Sequence, residues 1–229
     1  MELKDQLIEL IRENKISTTE VSDALGKRGH IPGPLPLTPS YHLVGEVHFI
    51  YTYEGSNYPC HEQVKDMPKG KIAYVHAIDC GTAAIFGDIV SKYMLLYRRS
   101  VAIVTNGYLR DVHRLVKERY PLWCAGRTPI GCVNAKPKNP PPAEVAALRE
   151  KFQGAIMVCD DSGVVLIEKH EINQKLVDRL KFIELQEDIW YYCMDSLKMS
   201  TFEVICEKKY LTEPGIIDKR RLDELERLK

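Results

Sequence analysis

An arginine and an aspartate, Arg110 and Asp111, stand side by side after the apolar run VAIVT (101–105) and the dipeptide Asn106-Gly107. A guanidinium can bind a carboxylate or keto oxygen through more than one hydrogen bond, and a carboxylate can ligate a hard divalent cation. In α/β proteins such groups collect where strands end at one edge of the sheet. The pair therefore predicts a small-molecule site, with a solvated surface ion pair as the alternative.

Gly87 and Asp88 form a second candidate, since they follow the apolar residues 84–86 and precede a segment with helical character, 88–97. The free N–H groups in the first turn of a helix can hold a carboxylate or a phosphate. The alternative is an ordinary turn in which Asp88 only favours the positive end of the helix. One helix and one strand separate Gly87 from Arg110, so we expect the two to meet at one sheet edge.

The elements that must position these groups alternate between strands and helices. Asn106-Gly107 is predicted to be a turn, and the order strand, turn, helix, strand predicts parallel βαβ crossovers. Asp160 to Gly163 (DDSG) is predicted to be the turn of a hairpin. Segments that are short and apolar or rich in β-branched residues predict strands at 43–52, 71–79, 101–105, 121–126, 130–134, 155–158 and 164–167.

Helices are predicted at both ends of the chain. Apolar residues at helical spacing indicate a first helix that ends near Asn14, and Ser17 with Glu20 forms the pattern of a capping box for a second helix that Gly26 ends. Residues 26–40 contain four prolines and are predicted to lack regular structure. Further helices are predicted at 143–152 and from 171 onward. We expect one α/β domain over 1–229, with an N-terminal helix at 1–16 and a C-terminal helical extension at 171–229.

Composition narrows the class of protein. The chain has 32 basic and 32 acidic residues, so no net field attracts nucleic acid or an acidic membrane surface. No run of apolar residues approaches the ~20 needed to span a bilayer. The seven cysteines are odd in number and lack a Cys-x-x-Cys pair, which indicates free thiols in a reducing cytoplasm. We expect a cytoplasmic protein with neither a nucleic-acid nor a membrane partner.

Four segments, taken in order, carry a resemblance to a known family. They are STTEVSDALG (17–26), FGDIV (86–90), NGYLRD (106–111) and GAIMVCDDSGVV (154–165). Together they resemble the RraA-like family, which includes regulators of ribonuclease E activity and 4-hydroxy-4-methyl-2-oxoglutarate aldolases. The resemblance runs from about Ser17 to Ile167 and continues loosely into the C-terminal helices.

The resemblance implies an α/β fold of the β/β/α swivelling type, a homotrimer and a divalent-metal-dependent lyase. Such a class II pyruvate aldolase or 2-oxo acid decarboxylase cleaves 4-hydroxy-2-oxo acids or oxaloacetate through a metal-stabilised pyruvate enolate. It implies that Asp111 ligates Mg²⁺ or Mn²⁺ and that Arg110 binds the substrate and takes part in catalysis. The remaining implied substrate contacts are backbone amides around Gly87, Asp88, Ile89 and Val90.

Two further acidic residues are candidates for a supporting role around the metal. Asp79 ends a predicted strand, and Glu187 lies on a C-terminal helix that in the family can reach toward a neighbouring subunit's site. The alternative for Glu187 is the ordinary solvated face of a long helix. His113, two residues from Asp111, has a poor spacing for joint ligation and is predicted to lie on the surface or to support a ligand from behind, and not to bind the metal itself.

The chain also departs from the family's pattern. Active aldolases commonly have an acidic residue three positions after the aspartate of Arg-Asp, where this chain has Arg114, and Asn106 stands where the family commonly has aspartate. Arg114 favours the alternative function, a non-catalytic RraA-like regulator that binds a ribonuclease E type partner. A methyltransferase is disfavoured because no Gly-rich strand-to-helix turn of the S-adenosylmethionine type occurs in the sequence.

Overall fold

A computed structural model describes residues 2–229 of the chain. Met1, which belongs to the predicted first helical segment and to the predicted domain, lies outside the described residues. The strands are β1 (Leu35–Pro36), β2 (Leu43–Tyr53), β3 (Ile72–Ile78), β4 (Ala84–Phe86), β5 (Ala102–Leu109), β6 (Leu122–Arg127), β7 (Ile156–Asp160) and β8 (Gly163–Ile167). The helices are α1 (Leu3–Asn14), α2 (Thr18–Ala24), α3 (Tyr58–Val64), α4 (Asp88–Lys92), α5 (Val112–Lys117), α6 (Glu144–Phe152), α7 (Gln174–Asp195), α8 (Lys209–Thr212) and α9 (Lys219–Leu228).

One mixed sheet forms the centre of the fold, in the order β1-β6-β5-β3-β2-β7-β8, with β4 paired to β5 off this path. The β2–β3, β3–β5 and β5–β6 pairs are parallel, as the predicted crossovers require. The chain before β1 returns to β8 through a bridge between His30 and Val165, so the sheet is nearly closed. This mixed α/β architecture confirms the predicted fold class.

Apolar side chains cover both faces of the sheet. One face packs under α3, α4 and α5, with Ile50, Val75 and Ile103 among its buried residues. The opposite face encloses Phe49, Tyr74 and Trp123, against which α6 packs through Phe152. The helices α1, α2 and α7 pack beside β7 and β8 in a third apolar cluster. Because α4 and α5 share one face, the turns that precede them lie at the same edge.

Most of the predicted helices and strands are confirmed, and three examples follow. Ser17 accepts a hydrogen bond from Glu20 N–H while the Glu20 carboxylate accepts from Ser17 N–H, which is the predicted capping box at α2. The predicted hairpin joins β7 to β8 through Asp161 and Ser162. The helical segment predicted at 88–97 is α4, continued by a π-helical segment at Tyr93–Tyr97.

The prediction of a turn at Asn106-Gly107 is wrong, because both residues lie inside β5. The pairing between β5 and β6 shifts register between Thr105 and Tyr108, so an irregularity in a continuous strand produces the turn-like residues. Gly107 is needed for packing, since a Cβ there would lie 3.0 Å from both Ala77 Cβ and Ile85 Cδ1.

Two further expectations are wrong. Residues 130–134 form no strand and make only isolated bridges, one between Ala84 and Gly131 and one between Ser56 and Val133. Conversely, the proline-rich segment contains the short strand β1, antiparallel to β6. Pro36 lacks an N–H but occupies the end of the sheet path, where that donor is not required.

The C-terminal part of the chain is helical, as predicted, but interrupted. After α7 come a π-helical segment at Phe202–Cys206, then α8 and α9, which form their own apolar cluster with α7. Across residues 2–229 no helix combines the length and apolar character needed to cross a bilayer. All seven cysteines are free, as predicted, and Cys206 is exposed.

Candidate active site

Gly87 occupies the centre of the candidate site, at the point where β4 ends and α4 begins. A Cβ on this residue would overlap the Asp111 carboxylate and would lie 2.9 Å from Arg110 Cγ. Only glycine therefore allows the side chains of the Arg-Asp pair to pack directly on this backbone. The predicted meeting of Gly87 with Arg110 and Asp111 is present in the structure.

Arg110 follows β5 and is held along its length. Its N–H donates to Phe86 O at 3.1 Å, which joins the end of β5 to the end of β4. Its guanidinium lies over Gly131, where a Cβ would be only 2.6 Å from Nη1. Two glycines, Gly87 and Gly131, therefore flank the arginine, whose side chain stays about half exposed.

Asp111 is the N-cap of α5 and adopts a left-handed backbone conformation, with φ of 57°. That region is costly for residues other than glycine, although aspartate tolerates it better than most. Its Oδ2 lies 3.6 Å from Arg110 Nε and accepts a long, 3.4 Å hydrogen bond from Asp88 N–H. The left-handed turn thus directs the carboxylate back toward the start of α4.

Arg114 forms the shortest ion pair of this region. Its Nη1 lies 2.8 Å from Asp88 Oδ2, across the space between α5 and α4. This hydrogen bond holds the pKa of Asp88 below its ordinary value. The residue that departs from the family's pattern therefore neutralises a carboxylate adjacent to Asp111.

Two backbone N–H groups in the first turn of α4 already have hydrogen-bond acceptors within the protein. Asp88 N–H faces Asp111, and Ile89 N–H donates to the side chain of Asp88. A ligand carboxylate at this helix start would have to compete with these two side chains. The bond from Asp88 N–H is the weaker one, because its length lies beyond the usual 2.7–3.2 Å range.

A cavity of about 670 Å³ opens beside this cluster, between α4 with its π-helical continuation and α5. Asp88 and Arg114 form the wall that it shares with the candidate site, and neither Arg110 nor Asp111 lines it. Ile89, Leu96 and Tyr97 contribute exposed apolar surface to the same region.

The two supporting acidic candidates lie apart from the cluster. Asp79 is exposed just after β3, with φ of 51°, and makes no hydrogen bond or ion pair to Arg110 or Asp111 in the part of the chain that the structure describes. Glu187 faces α2, where burial and then the charges of Glu20 and Asp23 raise its pKa. In the part of the chain that the structure describes, neither residue contacts Asp111.

The residues present fit a hard divalent cation better than a soft one. Groups of three or more His, Cys, Asp or Glu side chains with metal-ligand geometry do not occur among residues 2–229. Asp111 offers a carboxylate whose side chain is 37% exposed, which suits Mg²⁺ or Mn²⁺ held by one protein ligand and several waters. A zinc site would need more protein ligands.

Comparison with known proteins decides the family. The sequence profile described as RraA-like, Aldolase/RraA, matches residues 18–166 of the chain. The chain belongs to the RraA-like family. This family includes both aldolase or decarboxylase members and ribonuclease E inhibitors.

Individual relatives of this RraA-like chain are distant. Protein DlpA of Legionella pneumophila is 23% identical over an alignment of length 197, which covers 80% of this chain but only 30% of DlpA. The crystal structure of a Pseudomonas syringae pv. tomato protein has a TM-score of 0.65 and 22% identity, covering 87% of this chain and 96% of that one. Streptomyces coelicolor RraAS2, described as an unusual member of the RNase ES inhibitor RraA family, has a TM-score of 0.60 and 21% identity, covering 79% and 94%. At these identities the structures support the shared fold alone.

Sequence reasoning missed two contacts of this RraA-like site. Gly131 lies in the segment predicted to be a strand, and the sequence around it contains no local signal that it supports Arg110. The sequence identifies Arg114 only as a departure from the family pattern, because its pairing with Asp88 depends on the distance between two helices. The spacing Asp111 to Arg114, at one helical turn, was the available signal that both face α4.

Proposed function

We propose that this RraA-like protein is a divalent-metal-dependent lyase that acts on 2-oxo acids, as a class II pyruvate aldolase or a decarboxylase. The supporting observation is the convergence of Arg110, Asp111 and the Asp88 N–H on Gly87. A guanidinium, a carboxylate and a backbone donor at one exposed point can bind a small, doubly functional anion. The substrates proposed are 4-hydroxy-2-oxo acids or oxaloacetate.

Arg110 is the proposed substrate-binding and catalytic cation. Its guanidinium is half exposed, and its backbone and aliphatic part are fixed by Phe86 and Gly87. A planar fork held in this way can donate two hydrogen bonds to a carboxylate or to a keto oxygen on which charge develops. Such a preorganised donor stabilises the transition state more than the ground state.

Asp111 is the proposed ligand of Mg²⁺ or Mn²⁺, with waters in the other positions. When bound, the cation supplies Lewis-acid polarisation of the substrate's carbonyl oxygen. The left-handed conformation of Asp111 keeps the carboxylate at the exposed end of α5, beside Arg110. Substrate and cation would therefore approach from the same side.

The start of α4 is the proposed anchor for the other end of the pyruvate unit. The backbone of Gly87, Asp88, Ile89 and Val90 turns its N–H groups toward this end of the helix. The 3.4 Å contact from Asp88 N–H to Asp111 is long, so a substrate oxygen can replace it at little cost.

A second candidate function is the non-catalytic regulator that binds a ribonuclease E type partner. The salt bridge between Arg114 and Asp88 favours it, because a fixed cation beside Asp111 opposes the binding of a divalent metal. Retention of Gly87, Arg110 and Asp111 in one cluster favours the enzyme.

An assay for pyruvate or CO₂ release tests the proposal. Purified protein is incubated with a panel of 4-hydroxy-2-oxo acids and with oxaloacetate, with Mg²⁺ and with a chelator, against a reaction without protein that corrects for spontaneous decarboxylation. Protein-dependent release that requires the metal supports the lyase. Absence of release across the panel supports the regulator, for which binding to ribonuclease E is the next measurement.

We propose a homotrimer formed by one domain over residues 1–229, in the cytoplasm. Exposed apolar side chains beside the site, at Ile89, Leu96 and Tyr97, offer surface for a neighbouring subunit. In such an assembly Glu187 or Asp79 could reach a neighbour's metal, a role that one subunit alone does not provide. Sedimentation equilibrium measures the assembly state.

A further inference from the structure

Strand β5 changes its neighbour halfway along its length. Its backbone pairs with β3 only as far as Val75 and Thr105. Beyond that point it pairs with β4, through Ala84 with Tyr108 and Phe86 with Leu109. Asn106 and Gly107 therefore lie at a fork, where β5 leaves β3 and joins the short strand that leads to Gly87.

The side chain of Asn106 closes this fork. Its Oδ1 accepts a hydrogen bond from Ala77 N–H at 2.7 Å, and its Nδ2 donates to Ala77 O at 3.1 Å. Ala77 belongs to β3, whose ladder with β5 has just ended. The amide thus takes the place of the backbone partner that β5 no longer supplies, and it satisfies two groups that would otherwise be costly to leave unpaired.

Ala77 fixes the orientation of the amide, which in turn determines the roles of the ring nitrogens of His76. Since Ala77 N–H requires the oxygen on its side, the Asn106 NH₂ faces His76 Nε2 at 3.4 Å. His76 Nε2 is therefore an acceptor, and its Nδ1–H donates to Tyr74 Oη at 3.0 Å. Burial lowers the pKa of His76, in agreement with a neutral ring.

The fork determines where the site residues arrive. The pairing of Leu109 with Phe86 is followed by the bond from Arg110 N–H to Phe86 O, and these bring Arg110 and Asp111 against Gly87. We propose that Asn106 is a positioning residue, whose amide holds β5 to Ala77 and thereby sets the register in which β5 delivers Arg110 and Asp111 to Gly87. The catalytic consequence of this inference rests on the proposed lyase function.

Asn106→Ala removes both bonds, and Val104→Ala is its matched control. Val104 is fully buried in the same strand, two residues earlier. Its truncation therefore weakens β5 before the fork and leaves the two hydrogen bonds between Asn106 and Ala77, here called the clamp, in place. Chemical denaturation first finds, for each variant, the denaturant concentration or temperature at which the two have the same free energy of unfolding. Amide hydrogen exchange by NMR at Arg110, together with kcat and KM for the 2-oxo acid, is then compared.

The exchange rate of the Arg110 amide is expected to rise about tenfold more in Asn106→Ala than in Val104→Ala. Without the two hydrogen bonds from Asn106 to Ala77, the pairing between β4 and β5 can open locally. In an active enzyme, kcat is expected to fall at least about tenfold in Asn106→Ala, because the reacting groups lose their orientation. Val104→Ala should keep its kcat. Equal exchange at Arg110 and equal kcat in the two variants would overturn the proposal.

Asn106→Asp keeps the shape of the side chain and provides a second test if the alanine variant fails to fold. The ionised carboxyl group can accept from Ala77 N–H but cannot donate to Ala77 O, whereas the protonated form can do both. Exchange at Arg110 should therefore approach the parent's value as the pH falls, and a pH-independent difference would contradict the clamp. Exchange can be read whether or not the parent has lyase activity, so failure of the proposed function and failure of this inference are distinguishable.

Discussion

The Asp111 carboxylate packs directly on the backbone of Gly87, so that a methyl group on residue 87 would overlap Asp111 Oδ2 and lie 3.0 Å from Asp111 Cγ. This contact joins the end of β4 to the start of α5 without an intervening side chain. It explains why residue 87 must be a glycine, although Asp111 lies 24 positions further along the chain.

Gly87→Ala is expected to destabilise the protein by about 1–3 kcal/mol, the usual cost of overpacking, and to displace Asp111 from its present position. Urea denaturation measures the loss. The same substitution in an Asp111→Ala background removes most of the overlap, so the cost should be clearly smaller there. Additive effects of the two substitutions would show that the contact does not exist in solution.

Arg110→Lys keeps the charge but loses the planar fork. If Arg110 stabilises charge that develops on the substrate, kcat should fall and KM should rise, by about 2–4 kcal/mol in total for a lost oxyanion donor. If Arg110 only anchors the substrate, KM alone should rise. Near-parental kcat/KM would exclude both roles.

Arg114→Glu is expected to strengthen binding of Mn²⁺, because it replaces the cation next to Asp88 and Asp111 with a third carboxylate. Isothermal titration or Mn²⁺ electron paramagnetic resonance measures the affinity. Lys117→Glu reverses the same charge on the same helix, at the wall of the neighbouring cavity, and is the matched control. Equal affinity gains in the two variants would indicate a general field effect and no specific role for Arg114.

Glu187→Gln is expected to raise the unfolding midpoint at pH 7. Burial, then Glu20 and Asp23, raises the pKa of Glu187 in the folded state, so its ionised form opposes folding. The parent should gain stability as the pH falls from neutrality through this raised pKa, and the gain should be complete near 4.5, the ordinary pKa of a glutamate. The advantage of the variant should therefore shrink over that window.

Glu203 provides a contrast of opposite sign. Its hydrogen bond from Lys209 lowers the pKa to about 2, so its ionised form favours folding above pH 4.5 and this contribution is lost as the pH falls toward 2. Glu203→Gln should lower the midpoint at pH 7. Midpoint shifts of the same sign in the two glutamine variants would contradict the assignment of these environments.

The main strands and their parallel order could be predicted because strands that are buried on both faces are rich in β-branched and aromatic residues. Asn106-Gly107 was misassigned because a strand irregularity uses the same residue types as a turn. What distinguishes them is the distance of Ala77 from Asn106, a contact between residues 29 positions apart that no local pattern reveals. The strand predicted at 130–134 is wrong for a different reason, since Ile130 and Val133 are exposed and the backbone of this segment makes only isolated bridges to Ser56 and Ala84.

The sequence predicts which residues meet at the candidate site but not which of their charges are paired. Gly87, Arg110 and Asp111 follow from the order of elements, since parallel strands with helices on one face bring their ends together. The pairing of Arg114 with Asp88 depends on how closely α4 and α5 approach, and the support of Arg110 by Gly131 depends on the path of an irregular segment.

Metal-stimulated turnover in Asp111→Ala, with Asp111→Asn as the isosteric control, tests the central claim most directly. Circular dichroism and the unfolding midpoint establish that both variants fold; asparagine tolerates the left-handed conformation of residue 111 better than alanine, so Asp111→Asn should keep more stability. The account predicts that release of pyruvate or CO₂ by the parent rises with Mg²⁺ and that this stimulation disappears in both variants. Unchanged turnover of either variant at limiting Mg²⁺ would contradict the assignment of Asp111 as the metal ligand.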